Sequence, residues 1–242
     1  MRIDVAPTAE AVVPDALGGA TALVIDVLRA STTIITALCH GCRAIVAAYL
    51  IGAVPIGYLV GRAFGVADIR RHGSGNIGAT NVLRTAGRLP AILTLGGDIA
   101  KGFLAVALGA ALAKSAAGPD LAATGACAVA AVIGNCWSIF LGLRGGKGAG
   151  TGLGAMLALV PLSVLVAAVV WLVVTLSFRY DSLGTLLGSV CGALGAAILG
   201  YPGPYVVAAF GVAAIIVARH HANIARLLAG HEPKVGQRRM SA

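Results

Sequence analysis

The chain has 242 residues, of which 58% are hydrophobic and 11% are charged, and its mean hydropathy is +0.92. Soluble domains average about 45–50% apolar and about 25% charged residues, so this composition excludes an ordinary soluble protein and indicates a membrane protein. The formal net charge of +9 could serve nucleic-acid binding. The basic residues, however, lie between apolar segments rather than in one cluster, which favours loops that contact anionic membrane lipid over a nucleic-acid partner.

Residues 1–46 differ in character from the rest of the chain. The run ALVIDV at 22–27 is typical of a buried strand, and the next segment leads into a helix that Gly41 ends. One strand and one helix cannot close a hydrophobic core. We therefore interpret 1–46 as a short β–α appendage, followed by a membrane domain at 47–235 and a cytoplasmic tail at 236–242.

Apolar segments separated by polar loops fill the membrane domain, and Pro161 divides one long stretch into two. The predicted segments are 47–64, 90–113, 121–143, 150–160, 162–178, 183–199 and 204–218. A straight span needs about 20 residues, so the shorter segments must pack against their neighbours. The sequence predicts an all-α integral membrane protein with seven transmembrane segments and an N-terminal β–α appendage.

Arginine and lysine residues are concentrated in the loops after the first, third, fifth and seventh segments. The positive-inside rule places these loops in the cytoplasm. With seven segments, the first segment begins outside and the C-terminus lies inside. The appendage would then lie outside, which is unusual for such a unit, so either it stays inside or the number of segments differs by one.

The five cysteines form no disulfide framework. Cys39 and Cys42 make a lone C-x-x-C pair, a weak signal for zinc or redox chemistry because no second pair follows. The other three lie in apolar runs, where cysteine behaves as a small core residue. No carboxylate–histidine set recurs at ligand spacing, so the sequence predicts neither a metal nor a cofactor.

The segment GSGNIGATNVLR at 73–84 combines three glycines with hydroxyl, amide and guanidinium side chains. Glycines allow backbone N–H groups to turn toward an anion, and the polar side chains add directional donors. This composition suits a phosphate group.

A second glycine-rich segment, RGGKGAGTGLG at 144–154, carries Lys147 and opens a helix. A helix N-terminus, free amides and a cation together favour an anion site. The spacing and the preceding strand of a Walker A loop are absent. The alternative interpretation is a tight turn between helices, with a lysine that extends to the membrane surface.

Three further polar groups accompany these motifs. Asp98 and Lys101 share one face of the second segment. Charges inside a span must either pair or form a site, and a structural pair near the site is the favoured interpretation. The groups RYDS at 179–182 and HHANIARLLAGHE at 220–232 follow later segments.

Three motifs occur in a fixed order between the apolar segments: S-G-N-x-G-A-T-N-x-x-R at 74–84, G-G-K-G at 145–148 and H-x-x-N-I-x-R-L at 220–227. Over 47–235 the chain resembles the bacterial acyl-phosphate:glycerol-3-phosphate acyltransferase family. The resemblance implies transfer of a fatty acyl group from acyl phosphate to the 1-hydroxyl of sn-glycerol 3-phosphate. The products are lysophosphatidic acid, a phospholipid precursor, and phosphate.

The same resemblance implies a multi-pass protein of the bacterial inner membrane with its active site facing the cytoplasm. Its acyl phosphate would come from a soluble phosphate acyltransferase. Separately, VIDVLRASTTI at 24–34 resembles the N-terminus of the 2-phosphosulfolactate phosphatase family. That match covers only about the first 45 residues, so we expect no phosphatase activity.

Site residues follow from the resemblance, position by position. The expected catalytic residues are Lys147, His220 and Ser182. The expected substrate-binding or phosphate-binding residues are Ser74, Asn76, Thr80, Asn81, Arg84, Gly146 and Asn223. The chain departs from the family in having Gly134-Asn135 where a Gly-His pair is usual, and Ala149-Gly150 where Val-Ala is usual. Neither departure removes a phosphate ligand.

Elementary chemistry is consistent with this reaction. Two anionic substrates must approach each other, so cations and backbone amides must offset their repulsion. Phosphate is a good leaving group, so positioning and charge stabilisation can supply most of the acceleration. No Ser-His-Asp set is visible, which favours direct transfer, with either His220 or the substrate's own phosphate taking the proton.

A polytopic anion transporter is the alternative class, because broken helices in transporters also present N-termini to substrates. The absence of an obvious internal repeat, and the position of the polar motifs on one side of the membrane, favour the enzyme.

Overall fold

The computed structural model describes residues 42–115 and 118–235. The chain divides into two units between Arg43 and Ala44, and all but the first two described residues belong to the second unit. The predicted β–α unit, Cys39 of the C-x-x-C pair and the tail at 236–242 lie outside the described residues.

Ten α-helices and one pair of two-residue strands form this part of the chain. In order they are α1 (Cys42–Ala53), α2 (Ile56–Ala63), α3 (Ala79–Thr85), α4 (Arg88–Leu112), the antiparallel β1 (Lys114–Ser115) and β2 (Gly118–Pro119), α5 (Leu121–Cys136), α6 (Ala149–Leu159), α7 (Pro161–Phe178), α8 (Asp181–Ile198), α9 (Gly203–Arg219) and α10 (His221–Leu228). Short 3-10 turns occupy Ile69–Arg71 and Ile139–Leu141.

The all-α membrane class is confirmed, but the count of seven transmembrane segments is not. In the described part of the chain, five helical stretches are long and apolar enough to span a membrane: Arg43–Ala63, Arg88–Leu112, Leu121–Leu141, Pro161–Phe178 and Asp181–Ile198. The bent pair of α9 and α10 makes a sixth if it is one span. Hydropathy detected α6 as well, but its 11 residues extend only about 16 Å, against an apolar core of about 30 Å.

The predicted division at Pro161 is confirmed, since this proline is the first residue of α7. Proline lacks the backbone N–H that a helix interior requires, but it fits the first helical position. The short helix α6 lies inside the bundle, where Thr151 and Ala155 are fully buried. The helix that begins at the second motif is therefore supported by protein contacts along its length.

Small residues allow α4 and α6 to pack closely. A side chain at Gly102 would collide with the carbonyl of Thr151, and one at Gly154 would collide with the carbonyl of Ile99. Helices in membranes associate through such close backbone contacts. By contrast, α7 exposes Leu165, Val169, Leu172, Val173 and Leu176, as a helix surrounded by lipid does.

Candidate active site

The loop between α2 and α3 carries the first motif and is shaped by the side chain of Asn81. Asn81 is 2% exposed. Its Oδ1 accepts a hydrogen bond from the Ser74 N–H at 2.8 Å, and its Nδ2 donates to the Asn76 carbonyl at 2.7 Å. Gly73 and Gly75 have φ angles of 60° and 73°, which glycine adopts without strain. Asn81 thus fixes the loop, and its contact with a phosphate stays a prediction.

This loop and the helix α3 that follows it carry side-chain donors that have no partner in the described part of the chain. Neither the Ser74 hydroxyl nor the Arg84 guanidinium has a hydrogen-bond or ion-pair partner within 42–115 and 118–235. The Oδ1 of Asn76 accepts from the Gly78 N–H at 2.8 Å, which leaves the amide nitrogen of Asn76 as a donor. These three side chains can reach an anion without breaking a bond inside the protein.

Thr80 connects the first motif to the start of α8. Its hydroxyl donates to Oδ2 of Asp181 at 2.8 Å, and Oδ1 of the same carboxylate accepts from the Trp171 indole N–H at 3.1 Å. A phosphate bound at Thr80 would compete with Asp181 for the hydroxyl proton. The predicted phosphate contact of Thr80 therefore requires the hydroxyl to exchange partners.

The second motif forms a tight turn between α5 and α6. The N–H of Gly145 donates to the Cys136 carbonyl at 3.2 Å, and the N–H of Gly146 donates to the Asn135 carbonyl at 2.8 Å. The Gly146 carbonyl accepts from Nε and Nη2 of Arg219 at 3.3 and 3.1 Å. Both backbone groups of Gly146 are thus bonded within the protein, and its contact with substrate stays a prediction.

Lys147 faces the protein and joins the second motif to the third. Its Nζ donates to Oδ1 of Asn223 at 2.5 Å, and the Nδ2 of Asn223 donates to Oε1 of Glu232 at 2.6 Å. Lys147 is partly buried, and Asn223 is 7% exposed. The alternative of a lysine that extends to the membrane surface is therefore wrong.

Glu232 is the anionic centre of this cluster. It is 8% exposed. Its Oε1 accepts from the Ser182 hydroxyl at 2.8 Å as well as from Asn223, and its Oε2 pairs with Nε of Arg226 at 2.7 Å. Burial raises the pKa of Glu232, but the hydrogen bonds from Asn223, Ser182 and Arg226 outweigh it and hold the pKa below its usual value. Glu232 is therefore ionised at neutral pH.

The charges around Lys147 leave an excess of positive potential. Burial lowers the pKa of Lys147, the cations Arg226 and Arg84 lower it further, and the carboxylates Glu232 and Asp181 partly oppose them. Three cations thus face two carboxylates. Because Asn223 holds the Lys147 ammonium through a neutral oxygen, the lysine charge remains available to an anion.

His220 lies where α9 meets α10 and is 5% exposed. Its Nδ1 lies 2.7 Å from the Ile216 carbonyl. A carbonyl can only accept, so Nδ1 carries a proton and Nε2 of the neutral ring is the acceptor. This tautomer, assigned from the geometry, is the one that a proton acceptor requires.

Lys101 and Asp98 form the structural pair that the sequence favoured. Nζ of Lys101 lies 2.9 Å from Oδ1 of Asp98, and it donates to Oδ1 of Asn135 at 2.8 Å and to the Val54 carbonyl at 2.7 Å. These partners use all three donors of the ammonium. The backbone carbonyl of the same Asn135 accepts the N–H of Gly146. Asn135 therefore links the buried pair to the turn of the second motif.

Sequence reasoning gave no role to four residues that organise the site: Asp181, Glu232, Arg219 and Asn135. Asn135 drew notice only as a departure from the family. The acidic residues stood beside recognised motifs, but the Glu232–Ser182 and Asp181–Thr80 contacts join residues 50 and 101 positions apart, beyond any local spacing rule. Within the described ranges, no three His, Cys, Asp or Glu side chains form a group that could hold a metal ion.

Two family models match the chain. The model for glycerol-3-phosphate acyltransferase matches residues 42–230, and the model for 2-phosphosulpholactate phosphatase matches residues 7–53. The first match includes every predicted site residue.

Similar proteins extend over the same part of the chain. Glycerol-3-phosphate acyltransferase 2 of Moorella thermoacetica is 47% identical over 195 residues, which are 81% of this chain and 97% of that protein. Glycerol-3-phosphate acyltransferase of Laribacter hongkongensis is 45% identical over 199 residues, with the same two coverages.

Two solved structures share the fold. One is PlsY (YgiH), an integral membrane glycerol 3-phosphate acyltransferase, in its glycerol 3-phosphate form. It has a TM-score of 0.74 and 33% identity, and the match covers 81% of this chain and 96% of that chain. The lysophosphatidic acid form matches with a TM-score of 0.73 and 32% identity over 81% and 95% of the two chains.

Proposed function

Because the chain belongs to the glycerol-3-phosphate acyltransferase family, we propose that it transfers a fatty acyl group from an acyl phosphate to the 1-hydroxyl of sn-glycerol 3-phosphate. The hydroxyl oxygen forms an ester bond with the acyl carbon, and the bond from that carbon to the phosphate oxygen breaks. Phosphate leaves with the electron pair, and lysophosphatidic acid remains in the membrane.

The observation that carries this proposal is the Lys147–Asn223 hydrogen bond, which unites the second and third motifs beside the Arg84 charge of the first. Two phosphate-bearing substrates repel each other, so a site that joins them needs cations whose charge is not already neutralised. Lys147 and Arg84 satisfy this need, since neither has an ion-pair partner in the described part of the chain.

Roles for the remaining residues follow from their surroundings. Ser74, Asn76 and Arg84 offer donors to a phosphate at the first motif. Ser182 and Asn223, both held by Glu232, shape the glycerol 3-phosphate side of the site. Thr80 orients the first motif against α8, and Asn81 and Gly146 hold the two turns.

Direct transfer is supported by the environment of Ser182. Its hydroxyl donates to Glu232, a carboxylate whose lowered pKa makes it a weak base. A serine nucleophile would need a stronger base in this position. The proton of the attacking hydroxyl passes either to Nε2 of His220 or to a phosphate oxygen of the substrate.

We extend the proposal to the location of the protein and to the source of its acyl phosphate. The basic residues that surround the three motifs support an inner-membrane protein whose site faces the cytoplasm. An acyl phosphate made by a soluble phosphate acyltransferase would reach the site from that side. We assign no role in this reaction to residues 1–46.

The test uses membranes from cells that express the full chain. They receive labelled glycerol 3-phosphate with acyl phosphate, and acyl-CoA is the comparison donor. We expect labelled lysophosphatidic acid from acyl phosphate only. Full activity in a Lys147→Ala protein would refute the site, while uptake of label without acylation would indicate a transporter.

A further inference from the structure

A second basic region adjoins the turns of the first and second motifs. It is an open cleft of about 450 Å³ lined by four arginines and one carboxylate: Arg70, Arg71, Arg144, Arg219 and Asp68. Glycines of the first and second motifs, Gly75 and Gly145, complete its wall. The lining of the cleft does not include Lys147, Asn223, Ser182 or Glu232.

Two of the four arginines are held in place. Arg70 donates to both carboxylate oxygens of Asp68, at 3.0 and 2.9 Å, and lies 5.3 Å from the centre of the Tyr58 ring. Arg219 donates twice to the Gly146 carbonyl and lies 5.2 Å from the Trp137 ring. A guanidinium has five N–H donors, so each of these two retains three for a ligand.

The other two arginines have no fixed partner. Arg71 and Arg144 are exposed, and neither guanidinium forms a hydrogen bond or ion pair with the residues that the structure describes. Asp68 is the single carboxylate in the lining and is already paired with Arg70. Four like charges around one concave space repel each other, and a multiply charged anion in that space would relieve the repulsion.

Guanidinium groups, rather than backbone amides, supply the donors of this cleft. The N–H of Gly75 is bonded to the His72 carbonyl at 3.0 Å, and the N–H of Gly145 is bonded to the Cys136 carbonyl. The planar fork of arginine matches the paired oxygens of phosphate. Two oriented arginines and two free ones can therefore donate to the oxygens of one phosphate in this cleft.

We propose that this arginine cleft binds a phosphate dianion at a site distinct from the Lys147 cluster. The bound group is either free inorganic phosphate or the phosphomonoester headgroup of phosphatidic acid, because both can present a dianionic phosphate. The proposal does not depend on the acyl-transfer reaction.

The first experiment measures binding of ³²P-labelled inorganic phosphate to the purified full-length protein by equilibrium dialysis. All variants carry Lys147→Met, which removes the cation of the other cluster. We expect the double variant Arg71→Gln/Arg144→Gln to lose affinity at least about tenfold, since each lost charge-assisted hydrogen bond is worth about 1.5–3 kcal/mol. The control, Arg62→Gln/Arg88→Gln, removes the same charge from exposed positions outside the cleft and should bind phosphate unchanged.

The second experiment separates the two sources of phosphate. The same proteins are purified from bilayers that contain phosphatidic acid, and retained lipid is counted by native mass spectrometry. If the cleft variant retains fewer phosphatidic acid molecules than the control, the cleft binds a lipid headgroup. If the cleft variant loses only the binding of inorganic phosphate measured by dialysis, the cleft binds the free ion.

Three results would overturn the proposal: unchanged phosphate and lipid binding in the cleft variant, an equal loss in the control, or loss of all phosphate binding through Lys147→Met alone. Thermal unfolding of each variant verifies that it is folded. The side chains of Arg71 and Arg144 form no hydrogen bonds or ion pairs with described residues, so we expect the variants to unfold at the same temperature as their controls.

Discussion

Lys147 and Asn223, 76 positions apart in the sequence, are joined by a hydrogen bond from Nζ to Oδ1. Glu232 determines which way the Asn223 amide points, because its carboxylate can only accept and therefore binds Nδ2. The amide oxygen must then face the lysine. Asn223 thus holds the Lys147 ammonium through a neutral oxygen and separates it from the Glu232 carboxylate.

Lys147→Ala removes a cation of the candidate site that has no ion-pair partner in the described part of the chain. We expect kcat/KM for glycerol 3-phosphate to fall about 10²–10³-fold, the loss typical when one preorganised charge-stabilising donor is removed. The measurement is the rate of lysophosphatidic acid formation in membranes. Arg62→Gln, which removes a charge from an exposed position outside the motifs, should retain the normal rate, and an equal fall in both proteins would contradict the assignment.

The lowered pKa of Lys147 predicts an alkaline limit to activity. Because the ammonium is the form that attracts substrate, kcat/KM should fall as the pH rises through this pKa, which lies below the 10.5 of an unperturbed lysine. The pH profile of kcat/KM for free enzyme reports that value. Lys147→Arg should move the alkaline limb to higher pH, since arginine stays charged. An unmoved limb would assign it to another group.

Glu232→Gln should lower stability and weaken substrate binding together. The change breaks the ion pair with Arg226 and replaces one accepting oxygen with an amide donor, which must face groups that already donate, either Ser182 and Asn223 or Arg226. We expect a loss of about 1–3 kcal/mol in the free energy of unfolding, and a higher KM for glycerol 3-phosphate as the Asn223 amide turns.

The same variant has a predictable pH dependence. The pKa of Glu232 is lower in the folded protein than its ordinary 4.5, so the carboxylate stabilises the fold above that pH. This contribution is lost as the pH falls through the lowered value. Thermal unfolding of the native protein and of Glu232→Gln should therefore differ near neutral pH and converge in acid. A constant difference across this range would contradict the role of the charge.

Lys101→Met should destabilise the protein more than its position outside the motifs suggests. It leaves the buried Asp98 carboxylate uncompensated, and removing one partner of a buried ion pair costs about 3–5 kcal/mol. The double variant Lys101→Met/Asp98→Asn should recover part of the loss. Unfolding in detergent measures both, and equal losses in the single and double variants would show that the pair is uncoupled.

A truncated chain that begins near Ala44 should acylate glycerol 3-phosphate at the full rate. The glycerol-3-phosphate acyltransferase family model begins at residue 42, and the described site residues all lie beyond it. The assay is the membrane assay with acyl phosphate, normalised to the amount of protein in the membrane. An inactive truncated protein that is still inserted would assign a role to residues 1–43.

Local patterns predicted much of the candidate site because the three motifs are contiguous segments. Asn81 illustrates where such prediction stops. Its amide was expected to contact phosphate, and in the structure it holds the loop through Ser74 and Asn76. Both roles use the same side chain at the same position, and only the direction of the amide distinguishes them.

The membrane class, the long apolar helices and the three motifs were predictable from local sequence, because hydropathy, proline and glycine act on their immediate neighbours. The short helices α3 and α10 were not predicted. Tertiary structure decided how those parts meet. In the structure α6 is a short helix inside the bundle. Glu232 binds both Ser182 and Asn223, and Lys101 binds Asn135, whose backbone carbonyl accepts the Gly146 N–H. These relationships depend on helix packing that brings side chains from distant parts of the chain to within hydrogen-bond distance.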